Sequence, residues 1–410
     1  MTTVLIYALT LLLAVLISGI ASRSLLSGAV LFLLAGLLTS TMGWASYEVS
    51  HPVVWRVAEM ALVATLFTDA LRVPFKTLRR AWYLPGRALL LGLPLTLLIT
   101  AAMALLLAGL SWTHALLVAA ALSPTDPVLA SALVGESRVP ERLRRLLNVE
   151  SGLNDGLALP IVVVLLSRSQ SQQTSWLMLA AELAGGIVIG VIVPVVAVWL
   201  YRRRWFGAVP SYRPLFGFVV GLLVYALASE LHGNPFLASF AAGITLSSIS
   251  PTARRHFEPV GERLTELLKF AALLVFGIMI SFTEMAAAGW RGWLLAAGVL
   301  LVARPASILI SLLWSAMNWR ERLTAAWFGP RGFASVVFGL MILDSGLPNA
   351  GELFRLVAVT IVLSIIVHAS TDVFAGRWFE KAADEANDPP KREPAEEEDL
   401  PDDLDVAQPE

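Results

Sequence analysis

The chain has 410 residues, 57% apolar and only 15% charged, with a formal net charge of −1 and no cysteine, and its mean hydropathy is +0.73. Repeated spans of about 20 apolar residues produce such values, which soluble globular domains rarely reach. Lack of cysteine excludes disulfides, thiolate metal sites and cysteine nucleophiles; no basic cluster suits nucleic acid, and no P-loop pattern is present to hold a nucleotide.

In chain order, charged, polar and glycine- or proline-rich punctuation predicts an all-α polytopic membrane protein of about 13 spans. They lie at 3–20, 24–40, 52–72, 88–109, 113–134, 146–167, 174–200, 214–230, 234–249, 264–281, 292–316, 323–343 and 352–375. The first has no Lys or Arg ahead of it and reads as a retained span, not a cleaved signal. The segment 234–249 is short for the hydrocarbon core and 174–200 is long, which predicts tilt. Alternate loops carry 19 Lys and Arg on one side and 2 on the other. By the positive-inside rule the N-terminus is outside and the C-terminus cytoplasmic, in the inner membrane of a cell. The predicted membrane domain is 1–375. Residues 376–410 read as an acidic, disordered cytoplasmic tail, since 380–410 hold 13 acidic against 3 basic residues.

Ionisable residues inside spans are expensive and mark function or tight pairing. Asp69 lies in "LFTDAL", Asp126 in "SPTDPV", and Glu150, Ser151, Asn154 and Asp155 in "ESGLNDG". Arg304 lies in "ARPASI" and Arg331 in "GPRGFASV". Helical spacing puts Glu150 and Asn154 on one stripe and Ser151 and Asp155 on the next. Glu150 has arginines available as partners, whereas the Asp126 and Asp155 pair needs cations, protons or a bound metal ion. Glu182, alone in its span, reads as a helix-contact or dimer-interface residue. Among the histidines, His368 reads as packed or interfacial.

Prolines 124 and 127 disrupt the fifth span beside Asp126, and the 329–332 stretch interrupts the twelfth. Unwound backbone is tolerated in a membrane where it lines a cavity or is buried in protein. Spans 5 and 12 cross in opposite senses, so the two breaks point to an inverted-repeat secondary transporter with a midplane site. A carrier of a small organic solute would use the same repeat and remains open at this point.

On these motifs, with "NPFLASFAAGITL" in support, the chain resembles the sodium/proton antiporters of the monovalent cation:proton antiporter-1 family. It resembles in particular the prokaryotic 13-helix members related to the animal exchangers, and the resemblance covers roughly residues 5–375. It implies exchange of Na⁺ (or Li⁺) for H⁺, with K⁺/H⁺ exchange as the alternative, no enzymatic activity, and no cofactor beyond the transported ions. It implies that Asp126, Asp155, the Ser151 hydroxyl and the Thr125 carbonyl bind the cation and proton. Asn154–Asp155 is the pair that accompanies electroneutral exchange. Glu150 corresponds to a buried glutamate held by Arg304, with Arg331 as the second candidate partner, and Asp69 stands at the cytoplasmic funnel. A homodimer in the bilayer is implied, with no nucleic acid or nucleotide partner.

Overall fold

A computed structural model describes residues 2–18, 28–44, 51–75, 82–126, 139–169, 175–203, 205 and 209–387. Among these there are helices and connecting turns but no strand. The helices used below are α1 (Thr2–Leu16), α2 (Gly28–Thr41), α3 (His51–Leu71), α4 (Tyr83–Ala108), α5 (Trp112–Ala121), α6 (Glu141–Ser169), α7 (Trp176–Tyr201), α8 (Arg213–Glu230), α9 (Pro235–Ile249), α10 (Pro251–Met279), α11 (Gly289–Ser311), α12 (Trp319–Trp327), α13 (Phe333–Asp344) and α14 (Ala350–Asn387). Each predicted span falls on one of these in its described part, the twelfth on two. Residues 127–134 of the fifth lie outside the described residues. By length and composition, six of the described helices can cross a membrane: α4, α6, α7, α11, the stretch 210–230 that includes α8, and 350–371 of α14.

Local chemistry sets the boundaries. Ser111 caps α5 and Asn234 caps α9, each accepting the N–H three residues on, and Pro235 occupies the first turn of α9, where no N–H partner is needed. Asn318 and Glu321 form a reciprocal capping box at α12. Two departures from expectation stand out. Ser250 caps α10 with Pro251 behind it, so this helix starts well before the predicted 264 and includes a charged amphipathic first half. At the other end of the chain, α14 continues past 375 to Asn387, into the segment expected to be a disordered tail; residues 388–410 lie outside the described residues.

The helices pack as two groups. One comprises α1, α2, α3, α7, α8, α9 and α10; the other comprises α4, α5, α6 and α11 to α14. Lipid offers no hydrophobic drive between helices, so close approach and dispersion hold them together. Gly36 of α2 and Gly277 of α10 illustrate this: a Cβ on Gly36 would lie 2.2 Å from the Leu274 carbonyl oxygen. Contact between the groups runs mainly along a seam, with α6 and α13 facing α3, α9 and α10.

The second group shows an internal correspondence. Both α4 and α11 contain one turn of π-helix, at Ala88–Gly92 and Val299–Ala303. Pro94 follows the first closely and Pro305 the second. Proline lacks the N–H that would bond four residues back, and a wider turn absorbs the gap. After α4 the chain enters α5, which stops at Ala121; after α11 it enters α12, which stops at Trp327. The chain is non-helical at 122–126 and again at 328–332.

Candidate functional site

The two non-helical stretches meet. The Asp126 N–H donates to the Pro330 carbonyl at 3.0 Å, and the Phe333 N–H, at the start of α13, points at Asp126 Oδ2 from 3.4 Å. A helix N-terminus carries partial positive charge, so α13 favours the carboxylate there. This approach leaves no room for a side chain at positions 329 and 332 of the facing chain. A Cβ on Gly332 would lie 2.0 Å from Asp126 Cβ, and one on Gly329 would lie 1.6 Å from Arg304 Nε.

The backbone groups released by the breaks find side-chain partners. Arg331, only 1% exposed, donates through Nη1 to the carbonyls of Ser123 and Pro124 at 3.0 and 3.3 Å. Arg304 donates to the Phe328 carbonyl at 3.2 Å. On α14, Ser364 accepts the Arg331 N–H at 2.8 Å, and His368 places Nε2 3.0 Å from the Trp327 carbonyl. The His368 Nδ1 lies 2.8 Å from the Ser364 carbonyl and 3.3 Å from the Ser364 hydroxyl, so a proton on either ring nitrogen donates to a backbone carbonyl. His368 is therefore packed against the second break.

Asp155 stands on α6, one turn after Ser151. The Ser151 hydroxyl donates to the Thr125 carbonyl, and Asn154 donates to the Thr125 hydroxyl at 2.7 Å. These bonds tie α6 to the unwound end of α5. Thr125, Asp126, Ser151, Asn154 and Asp155 are all buried. Asp155 Oδ1 is buried without a hydrogen-bond partner among the described residues, and the Asp155 carboxyl lies within electrostatic reach of Asp69, Asp126 and Lys269. A carbonyl oxygen keeps a second lone pair after accepting one bond, so Thr125 still offers an oxygen ligand.

Of the two arginines offered to Glu150, Arg304 makes the pair: Nη1 donates to Oε1 at 2.8 Å. Arg331 caps backbone carbonyls instead. Asp69, at the end of α3, is 8% exposed; it lies 3.8 Å from Arg72 and 3.9 Å from Lys269. Glu182 accepts from Asn234 across α7 and α9, through both its backbone carbonyl (3.0 Å) and its carboxylate (3.3 Å). This is the helix-contact arrangement.

The residue that sequence reasoning missed is Lys269. It is buried on α10, with Nζ 3.5 Å from Asp126 Oδ2. Near the start of the predicted 264–281 span a lysine reads as snorkelling. Because α10 begins at Pro251, Lys269 lies well inside the helix and is held in the protein interior.

Comparisons with known proteins agree with this architecture. The family profile "sodium/hydrogen exchanger, transmembrane" matches residues 8–375. A K⁺/H⁺ antiporter NhaP2 of Shewanella oneidensis is 26% identical over 381 residues, covering 91% of this chain and 66% of the relative. A K⁺/H⁺ antiporter NhaP of Alkalimonas amylolytica is 23% identical, covering 92% of this chain and 67% of the relative. The chain thus spans about two thirds of the length of these relatives. In fold it is similar to the sodium proton antiporter MjNhaP1 of Methanocaldococcus jannaschii, with a TM-score of 0.76 at 20% identity, covering 92% of this chain and 99% of that one. Family profile, motifs and fold agree, and the chain belongs to the sodium/hydrogen exchanger family.

Proposed function

We propose that the chain is a secondary active antiporter that exchanges Na⁺ (or Li⁺) for H⁺ as the two compete for Asp126 and Asp155. The observation that carries this reading is an excess of buried acid at the seam. Asp69, Asp126 and Asp155 are all buried there, with Lys269 as the buried base, while Glu150 has its own arginine. Desolvated carboxylates cannot all stay ionised without counter-charge. A cation or a proton supplies it, and because the carboxylates are coupled the site titrates as a unit. Two carboxylates, a hydroxyl and a backbone carbonyl make a hard oxygen set suited to a small alkali cation.

Charge counting supports one-for-one exchange. Asp126 and Asp155 with one Na⁺ keep one net negative charge, and with one H⁺ they keep the same. Lys269 cancels Asp69, and Arg304 cancels Glu150. The loaded site carries equal charge in both half-cycles, so exchange is electroneutral and driven by ion gradients alone. The paired π-turns and paired breaks of α4–α5 and α11–α13 support an antiparallel repeat with about 13 crossings and two interrupted helices. Alternating access is movement of the group that contains α5, α6 and α13 against the other group along the seam. The working form is a homodimer in the inner membrane, with the N-terminus outside.

K⁺/H⁺ exchange is the second reading, favoured by the names of the two bacterial relatives. The test is cation-driven proton flux in proteoliposomes with Na⁺, Li⁺ and K⁺ in turn, with and without an imposed membrane potential. One-for-one exchange predicts flux that ignores the potential and vanishes in Asp155→Asn. Flux that follows the potential contradicts the charge count, and normal flux in the variant contradicts the site.

A further inference from the structure

We infer that Lys269 is a tethered cation that latches the unloaded carrier across the seam, competing with the transported ion for Asp126. This inference rests on the antiport reading above and names the residue that couples site occupancy to movement.

The inference starts from where each charge sits. Asp126 and Asp155 belong to the group containing α5 and α6, whereas Asp69 and Lys269 belong to the group containing α3 and α10. The ion pairs Arg304–Glu150 and Arg142–Glu321 lie within one group, and Arg72–Glu262 within the other. The Lys269–Asp126 pair, at 3.5 Å, joins the two. Both side chains are less than a tenth exposed, so water screens the attraction little and a missing partner is costly.

Lys269 also has a second acid on its own side. Asp69 Oδ2 lies 3.9 Å from Nζ, so the ammonium is shared between one carboxylate that moves with it and one across the seam. While Asp126 and Asp155 are empty, the ammonium supplies their counter-charge and ties the groups together. When a cation or proton binds, it cancels one of the pair's two charges, the attraction across the seam falls and Lys269 keeps Asp69. The groups then slide with the ammonium still paired on its own side and with the loaded site carrying a single charge in either form. The arrangement holds back the empty site and releases either loaded form, which is the rule that obligate exchange requires. Asp126 is also the carboxylate that faces the α13 N-terminus, so the latch acts at the ligand set itself.

The same geometry makes Lys269 a competitor. An ammonium 3.5 Å from Oδ2 occupies the side of the carboxylate that a cation would use, and apparent affinity falls with the fraction of carriers so occupied. Removing it therefore has two readouts that a purely structural lysine would not move: tighter apparent cation binding and loss of coupling.

The experiment compares wild type, Lys269→Gln and Lys269→Arg in proteoliposomes, with the cation that wild type exchanges best among Na⁺, Li⁺ and K⁺. Half-saturating cation concentration is measured first. Tracer cation uptake is then measured under an imposed membrane potential with no proton gradient. Lys269→Gln is expected to lower the half-saturating concentration about threefold or more and to open a potential-driven cation leak; Lys269→Arg is expected to remain coupled. Asp69→Asn serves as the second variant and carries the test should Lys269→Gln fail to fold. It removes the fallback partner, so half-saturation rises and turnover falls without a leak. Wild-type exchange with unchanged half-saturation and full coupling in Lys269→Gln overturns the latch and leaves the antiport reading standing, as does unchanged half-saturation and turnover in Asp69→Asn. No wild-type exchange with any of the three cations overturns both.

Discussion

Two buried charge clusters lie close together on α6 and are built on opposite plans. Glu150 is matched one-to-one by Arg304 at 2.8 Å, and Arg304 also holds the Phe328 carbonyl. Glu150 Oε2 and, one turn further on, Asp155 Oδ1 are both buried without a hydrogen-bond partner among the described residues, but Asp155 has no arginine set against it as Glu150 has. Its neighbour Asp126 meets Lys269 at a looser 3.5 Å and shares it with Asp69. A matched pair is a brace, because neither member gains by exchanging its partner. The under-neutralised set attracts a mobile charge and accepts either a cation or a proton.

The sharpest way to break this comparison is to make equivalent changes in both clusters. Asp155→Asn is expected to abolish exchange while the protein remains folded, read as proton flux alongside a normal thermal unfolding curve. Glu150→Gln should do the reverse in kind. Leaving Arg304 buried without its carboxylate costs about 3–5 kcal/mol, so a lowered unfolding temperature and poor yield are expected. If Glu150→Gln is as stable as wild type, the brace assignment is wrong. Gly332→Ala comes next, because its Cβ would collide with Asp126. At least about a tenfold loss of exchange is expected, with α13 intact by circular dichroism. Ser151→Ala removes one oxygen ligand and one tie between α6 and Thr125, and should raise half-saturating cation concentration by roughly 3- to 10-fold. The smallest effect belongs to a surface pair. Disrupting Arg254–Glu258, a partly exposed pair one turn apart on α10, is expected to change stability by less than about 1 kcal/mol and exchange not at all.

The comparison also sets the sign of the pH response. Where proton and cation compete for one site, acidification raises the cation concentration needed for half-maximal exchange. Binding measured at a series of pH values checks this, and a half-saturation that stays flat or falls on acidification contradicts competition.

Much of this was legible in the sequence because the membrane makes polar residues conspicuous. Asp126 between prolines, the Glu150-to-Asp155 run and the two arginines all violate an apolar background, and the structure brings these motifs together at two crossing breaks. Spacing alone left Arg304 and Arg331 both open, since both lie near unwound backbone; the family resemblance put Arg304 first, and it is Arg304 that reaches Glu150. Lys269 was missed for a local reason. The amphipathic first half of α10 reads as loop when apolar spans are sought, and this shifts the apparent helix start to just before the lysine. The Ser250 cap and Pro251 were the overlooked signal. Of the break partners, His368 reads as packed from the sequence, whereas Ser364 was hidden because a small polar residue in an apolar helix commonly bonds its own backbone, and only the fold shows what else it faces.

The most direct test of the central claim counts protons. Purified protein in weakly buffered detergent solution is titrated with Na⁺, Li⁺ or K⁺ while binding and proton release are recorded together. The account predicts about one proton released per cation bound, with neither signal in Asp155→Asn. Cation binding without proton release, or equal release in the variant, would mean that cation and proton do not share this site.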